Sequence, residues 1–116
     1  MIAGSCICGG VRWEITALPD WAVSCNCSVC RRYGAIWAHR ARKEVTLSGD
    51  TRGFTRGEGL IAFRHCPVCG CLTHYCATQA GPEARVSVNL RMAAPEIVEA
   101  IRIRRFDGAE SWRFLD

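Results

Sequence analysis

Apolar and polar residues alternate along much of the chain in short runs, which is the period of a half-buried β-strand. The clearest case is Val11 to Ile15, where Arg12 and Glu14 stand between apolar neighbours. The same reasoning predicts short strands over 22–24, 35–39, 44–47, 60–64, 72–77, 85–89 and 101–106. Turn signals separate several of them, at 49–50, 57–59 and 81–82. The pattern predicts a mainly β fold of short antiparallel sheets.

Two segments favour short helices. Ser28 to Tyr33 has a residue suited to the N-cap, Ser28, and is followed by Gly34 as a stop. Ala94 to Ala100 carries Pro95 at its start, where proline fits the first helical turn. We expect the first segment to form a single turn inside a metal-binding loop.

Length and composition indicate one soluble domain. The chain has 116 residues and shows no internal repeat or linker, so we expect a single domain over 1–116. No apolar run reaches the roughly 18 residues of a membrane helix. The N-terminus lacks the basic and apolar regions of a signal peptide, and we therefore expect a cytoplasmic protein.

The net charge of +4 taken alone suggests an anionic partner. However, the arginines are scattered, and no block of five or six like charges appears. We therefore expect neither a nucleic acid nor a membrane as partner. If seven thiols become thiolates on two Zn²⁺ ions, as proposed below, the net charge falls to about +1.

Nine cysteines change the picture most. A disulfide framework would leave one thiol over, and nothing marks the chain as secreted. The cysteines instead form the clusters C-x-C (Cys6, Cys8), C-x-C-x-x-C (Cys25, Cys27, Cys30) and C-P-x-C-G (Cys66, Cys69). Thiolates at these spacings can share one tetrahedral zinc ion. The spacing therefore favours metal binding.

Ligand counting divides these clusters. A C-x-C and a C-x-x-C together supply four sulfurs, the number in a closed structural zinc site. Pairing the first cluster with the last would tie the N-terminus to the middle of the chain. The remaining cluster has three sulfurs, which leaves a fourth position for water or substrate, as in catalytic zinc sites. Alternatively, a further side chain completes a second structural site, the candidates being Cys71, Cys76, His65 and His74.

Three segments together resemble the glutathione-dependent formaldehyde-activating enzyme family, which is also called the centromere protein V family. They are Gly4-Ser5-Cys6-Ile7-Cys8-Gly9-Gly10-Val11, Cys25-Asn26-Cys27-Ser28-Val29-Cys30-Arg31-Arg32-Tyr33-Gly34-Ala35 and Phe63-Arg64-His65-Cys66-Pro67-Val68-Cys69-Gly70-Cys71. The segment from Asn89 through Arg104-Arg105-Phe106-Asp107-Gly108 to Trp112 is also similar to the family.

The resemblance implies a small β-tent-like fold with two zinc ions per chain. One is a structural zinc on Cys6, Cys8, Cys66 and Cys69. The other is an active-site zinc on Cys25, Cys27 and Cys30. It further implies a carbon–sulfur lyase type of activity, in which glutathione, or a similar thiol, and a small aldehyde form an adduct such as S-hydroxymethylglutathione.

Other candidate residues follow from general chemistry. Arg31 and Arg32 directly follow the three-cysteine cluster, and arginine binds carboxylates, of which glutathione has two. They can equally be a solvated helical turn. His74 is a possible general base or a structural histidine. The main rival to an enzyme is a non-catalytic zinc module that binds a protein partner, because a fold alone does not determine function.

Overall fold

The computed structural model describes residues 1–116 and confirms the mainly β prediction. It contains two short α-helices, α1 (Cys30–Tyr33) and α2 (Pro95–Ala100), and 3-10 turns at Arg42–Glu44 and Leu90–Met92. The strands are β1 (Ile2–Ser5), β2 (Arg12–Ile15), β3 (Trp21–Cys25), β4 (Trp37–Ala41), β5 (Val45–Ser48), β6 (Arg52–Phe54), β7 (Ile61–His65), β8 (Leu72–Ala77), β9 (Arg85–Asn89), β10 (Arg102–Asp107) and β11 (Arg113–Phe114). Neither helix is long and apolar enough to cross a membrane.

The strands form two sheets. A three-stranded sheet has the order β1-β2-β5, and an eight-stranded sheet has the order β11-β10-β3-β4-β9-β8-β7-β6. Every pair is antiparallel except β3 with β10, which run parallel with Trp21 opposite Arg102 and Cys25 opposite Phe106. This parallel pair differs from the antiparallel sheets predicted above. It arises because the chain passes through α2 before β10 returns to lie beside β3.

The strand pattern is confirmed most closely for β8 and β9, which have the predicted bounds. The predicted helix after Cys27 is shorter than expected, beginning at Cys30 with Val29 at the N-cap. The prediction of Ser28 as N-cap was wrong, because the Ser28 hydroxyl accepts a hydrogen bond from Arg56 instead. Gly34 ends the helix as predicted, in the left-handed conformation with φ of 66°.

Alternation gives the eight-stranded sheet two different faces. One face packs on the three-stranded sheet through a buried cluster of Trp13, Ile15, Ala22, Ile36, Ala38, Val88 and Leu90. The opposite face carries a second cluster that includes Val23, Trp37, Phe63, Leu72 and Tyr75 together with Cys27 and Cys30. The three-cysteine segment therefore belongs to the face that points away from the small sheet.

Burial of His74 should make the stability of the protein depend on pH. It is 4% exposed, its Nδ1 lies 2.9 Å from the Thr73 hydroxyl, and burial, with the charges of Arg64 and Arg42, lowers its pKa to about 4.

His74 takes up a proton near pH 6.5 in the unfolded chain but only near pH 4 in the folded protein. The free energy of unfolding therefore falls as the pH drops between these values. We expect His74→Gln to remove up to about 3 kcal/mol of that pH dependence. Urea unfolding at pH 7 and pH 4.5 measures it. Parallel stability–pH curves for the two proteins would contradict the prediction.

Candidate metal centres and the adjoining cavity

Two six-residue hairpin loops bring together the four cysteines of the predicted structural site, Cys6, Cys8, Cys66 and Cys69. One loop, 6–11, joins β1 to β2, and the other, 66–71, joins β7 to β8. In each loop the first cysteine donates its backbone N–H to the carbonyl of the sixth residue, at 3.0 Å from Cys6 to Val11 and at 3.0 Å from Cys66 to Cys71. Since the loops belong to different sheets, their sulfurs meet where the two sheets meet.

The four sulfurs have the separation that a tetrahedral metal ion requires. Sγ of Cys8 lies 3.6 Å from Sγ of Cys6 and 3.6 Å from Sγ of Cys66. All four, including that of Cys69, lie within 4.8 Å of one another. A tetrahedron with Zn–S bonds of 2.3 Å has edges of about 3.8 Å. The predicted set of four therefore meets in space and fits a thiolate-bound ion such as zinc.

Backbone N–H groups surround these sulfurs and favour thiolates. Val11 N–H donates to Cys6 Sγ at 3.2 Å, and Val68 N–H donates to Cys66 Sγ at 3.4 Å. The backbone N–H groups of Cys71 and Cys8 lower the pKa of Cys69 to about 5. Metal binding requires deprotonated cysteines, so these hydrogen bonds help to prepare the site.

The second predicted set also comes together. Cys25 ends β3, Cys27 follows in the loop, and Cys30 begins α1, with the three sulfurs within 4.8 Å of one another. Cys30 N–H donates to Cys27 Sγ at 3.3 Å. Burial raises the pKa of Cys27, but hydrogen bonds from the Cys30 N–H and from the neighbouring sulfurs outweigh it and lower that pKa overall. Burial raises the pKa of Cys25 and of Cys30.

No fourth His, Cys, Asp or Glu joins this three-sulfur group. Cys71 packs against the four-cysteine site, and His65 ends β7 next to the same site. His74 is turned to Thr73, and Cys76 lies on β8 opposite Val86. The fourth position of an ion held here would therefore be open on the protein side.

A cavity of about 580 Å³ adjoins the three-cysteine group. This volume lies within the roughly 300–1,000 Å³ of small-molecule sites. Of its 17 lining residues, 13 are apolar when cysteine is included, so the wall offers few polar partners. The lining consists of Trp21, Val23, Cys25, Cys27, Cys30, Trp37, His39, Arg56, Glu58, Leu60, Ile61, Phe63, Tyr75, Arg85, Phe106, Trp112 and Phe114.

The polar groups of the cavity include a histidine held by two hydroxyls. His39 Nδ1 lies 2.6 Å from the Ser87 hydroxyl and 3.3 Å from that of Tyr75. Burial and the charge of Arg85 lower the pKa of His39 to about 4, so this imidazole is neutral at pH 7. Burial raises the pKa of Tyr75, which keeps its O–H protonated. The cavity therefore offers neutral hydrogen-bonding groups beside the positive charge of Arg85.

Arg31 and Arg32 lie on α1, exposed and outside the residues that line the cavity. Arg32 Nη1 donates to the carbonyl of Ser28 at 2.7 Å. The cavity contains two other arginines, Arg56 and Arg85, that the sequence did not single out. The sequence held a signal for Arg85, because it precedes Val86 in a predicted strand and must therefore point to the opposite face of the sheet from Val86. For Arg56, in a glycine-rich loop, there was none.

The turn between β10 and β11 lies against the three-cysteine group. The Asn26 side chain donates to the Asp107 carboxylate at 2.9 Å and accepts from the backbone N–H of Ala109 at 3.0 Å. Gly108 lies so close that a Cβ there would be 2.7 Å from Cys25 Sγ and 3.2 Å from the Cβ of Cys27. Only glycine permits this approach without displacing the Cys25 sulfur.

We expect Gly108→Ala to weaken metal binding at the three-cysteine group by tenfold or more, because the new methyl group must push Cys25 aside. The four-cysteine site should be unaffected. Chelator competition with the Co²⁺-substituted protein, followed by thiolate-to-cobalt absorption, measures the two sites. Glu110→Ala, on the exposed part of the same turn, is the control. Equal metal affinities in both variants would show that the contact does not constrain Cys25.

The fold and the site together define a small β protein with two cysteine clusters that can hold metal ions, one of them opening on a ligand-sized cavity. The chain belongs to the glutathione-dependent formaldehyde-activating enzyme family, whose model matches residues 1–100. This match confirms the family that the three motifs resemble.

One solved structure is similar over most of its length. The crystal structure of a Rhodobacter sphaeroides protein has a TM-score of 0.70 and 26% sequence identity to this chain. The alignment covers 88% of this chain and 99% of that one. No curated protein matches the chain. The likeness shows that nearly the whole fold described above recurs in that protein.

Proposed function

We propose that this protein catalyses the reversible addition of a glutathione-like thiol to an aldehyde, a carbon–sulfur lyase type of reaction. The observation that carries the proposal is the three-cysteine group, which has no fourth protein donor and lines a cavity of about 580 Å³. A non-catalytic interaction module needs no such cavity. Membership of a family described as glutathione-dependent and formaldehyde-activating supports the choice of thiol and aldehyde.

The metal in both groups is proposed to be zinc. Cys6, Cys8, Cys66 and Cys69 would hold a closed structural ion, and Cys25, Cys27 and Cys30 an ion with one open position. A zinc ion with an open position lowers the pKa of a thiol that binds to it or polarises a carbonyl oxygen. The nine cysteines form no disulfide, and reducing compartments keep cysteines in that state, which supports a cytoplasmic location.

The chain's own residues would orient the reactants. Arg85 and Arg56 line the cavity and can bind the carboxylates of a glutathione-like thiol. Arg31 and Arg32 remain predicted to bind carboxylates of the thiol. They would have to do so from outside the cavity. The Tyr75 O–H, held beside the neutral His39, can donate to the aldehyde oxygen as negative charge develops there. The apolar walls exclude water, which strengthens these interactions.

The addition of the thiol to the aldehyde needs no further reactant. The thiol sulfur forms a bond to the carbonyl carbon, the π electrons of the C=O bond move to oxygen, and that oxygen takes up the proton released by the thiol. The reverse reaction breaks the same C–S bond. Thiol and aldehyde also form this adduct reversibly in solution without the protein. The protein would therefore accelerate the approach to that equilibrium in both directions.

Exchange NMR with glutathione and ¹³C-formaldehyde tests the proposal directly. We expect the zinc-loaded protein to increase the rate of adduct formation and breakdown severalfold or more above the spontaneous rate. Zinc should amount to two ions per chain, of which glutathione exchanges or displaces one. Two ions that resist the thiol, with no acceleration of exchange for formaldehyde or any other aldehyde, would favour the interaction module.

A further inference from the structure

The C-terminal hairpin supplies a separate part of the cavity wall. Phe106 on β10, Trp112 in the turn and Phe114 on β11 line the cavity, and all three lie beyond the residues 1–100 that the family model matches. Phe106 packs edge-on against both others, with ring centroids 5.1 Å apart in each pair. We call these three residues the aromatic wall. It lies next to the three-cysteine group, since Phe106 pairs with Cys25 across the sheet.

Trp112 combines an unusual backbone conformation with a highly exposed side chain. It is the only non-glycine residue with positive φ, at 58°, a conformation unfavourable for a bulky side chain. Its side chain is nevertheless 71% exposed, so little burial offsets that strain. Such outliers concentrate at ligand sites, where the strained residue is completed by what binds. Here Trp112 borders the cavity, and a ligand in the cavity would cover it.

Formaldehyde and a polar thiol do not match this wall. Addition of formaldehyde contributes one carbon and one oxygen to the adduct, and a glutathione-like thiol contributes charged groups. The cavity offers charged partners only at Arg56, Glu58 and Arg85. Charged groups placed against aromatic rings without partners lose hydration and gain little. An apolar group on the adduct is needed to cover the remaining surface.

We propose that the aldehyde half of the substrate carries an apolar chain or ring of several carbons, and that the aromatic wall selects it. This inference rests on the proposed thiol–aldehyde reaction and names its substrate class. The aldehyde carbon must reach the three-cysteine group to meet the thiol sulfur. Its substituent would then extend along Phe106 toward Trp112 and Phe114, because Phe106 lies opposite Cys25 and packs against both of those rings.

A series of aldehydes with glutathione held constant tests the substrate class. Each buried methylene is worth roughly fourfold in binding. We expect kcat/KM, above the spontaneous rate, to rise on the order of fiftyfold from propanal to hexanal, with formaldehyde lowest. Rates that are equal along the series, or highest with formaldehyde, would overturn the inference and leave the proposed function intact. No acceleration with any aldehyde would overturn both.

A second arm distinguishes the two halves of the adduct. Formaldehyde is held constant while glutathione is compared with butanethiol. A preference for the apolar thiol, together with a flat aldehyde series, would assign the aromatic wall to the thiol and overturn the assignment to the aldehyde. A preference for glutathione in this arm, with the steep aldehyde series, is the expected combination.

Trp112→Ala tests the residue itself. We expect the ratio of kcat/KM for hexanal to that for formaldehyde to fall about tenfold. Both substrates are measured on one protein preparation, so the ratio does not depend on how much of the variant is folded. Leu115→Ala is the matched control, because Leu115 is half-exposed, lies three residues away and does not line the cavity. An unchanged ratio in Trp112→Ala would remove Trp112 from the proposed selective surface.

Discussion

Replacement of Cys69 by serine is expected to leave the protein largely unfolded at 25 °C. The four-cysteine site joins a hairpin loop of the small sheet to a hairpin loop of the large one, so loss of one ligand would remove the proposed metal ion that links the two loops. Structural zinc contributes on the order of 10 kcal/mol or more to folding, which is comparable to the whole stability of a domain of this size. Circular dichroism during heating, with metal analysis, should show loss of the cooperative transition.

Cys71→Ser is the matched control for this effect. Cys71 packs against the four-cysteine site but does not belong to the group of four sulfurs. We expect this variant to keep its full metal content and to lose no more than about 2 kcal/mol, the usual range for a partly buried substitution. If Cys69→Ser melted like Cys71→Ser, the four-cysteine site would not be what stabilises the fold.

Replacement of Cys27 by serine should abolish the thiol–aldehyde reaction and leave the fold in place. The three-cysteine group lies on one face of the large sheet, and no second sheet depends on it. Removing one of three ligands should release the ion and with it the catalysed part of the rate, so that exchange falls to the spontaneous rate. Exchange NMR measures the rate, and circular dichroism measures the fold.

Cys76→Ser separates this effect from general loss of a thiol, because Cys76 belongs to neither sulfur group and does not line the cavity. It should retain activity and both metal ions. Unfolding of Cys27→Ser as severe as that of Cys69→Ser would contradict the division into one structural and one reactive site. So would a Cys27→Ser protein with normal activity.

Local chemistry explains what the sequence predicted correctly. Period-two alternation located β2, in which exposed and buried residues alternate. β8 and β9 are buried on both faces over most of their length, and their short apolar and β-branched runs located them instead. The cysteine spacings indicated two groups because ligand counting divides the seven cysteines into a set of four and a set of three. The predicted pairing of Cys6 and Cys8 with Cys66 and Cys69 agrees with the structure, in which these four sulfurs lie within 4.8 Å of one another.

Other features depend on contacts between segments far apart in sequence. The exposed β6 and the two-residue β11 have too little alternation to be recognised, and they form because β7 and β10 offer them an edge. The parallel pairing of β10 with β3 has no local signal. The same limit applies to the cavity, since Arg56, Arg85 and Trp112 come together only after the sheet is complete.

The order of synthesis gives that parallel pairing a further consequence. Chains are made from the N-terminus, so Cys25, Cys27 and Cys30 leave the ribosome well before β10 and the turn that brings Gly108 against Cys25. Throughout that interval the three thiols stand uncovered, open to oxidants and to passing metal ions. The segment that encloses the three sulfurs is therefore made only after most of the two sheets.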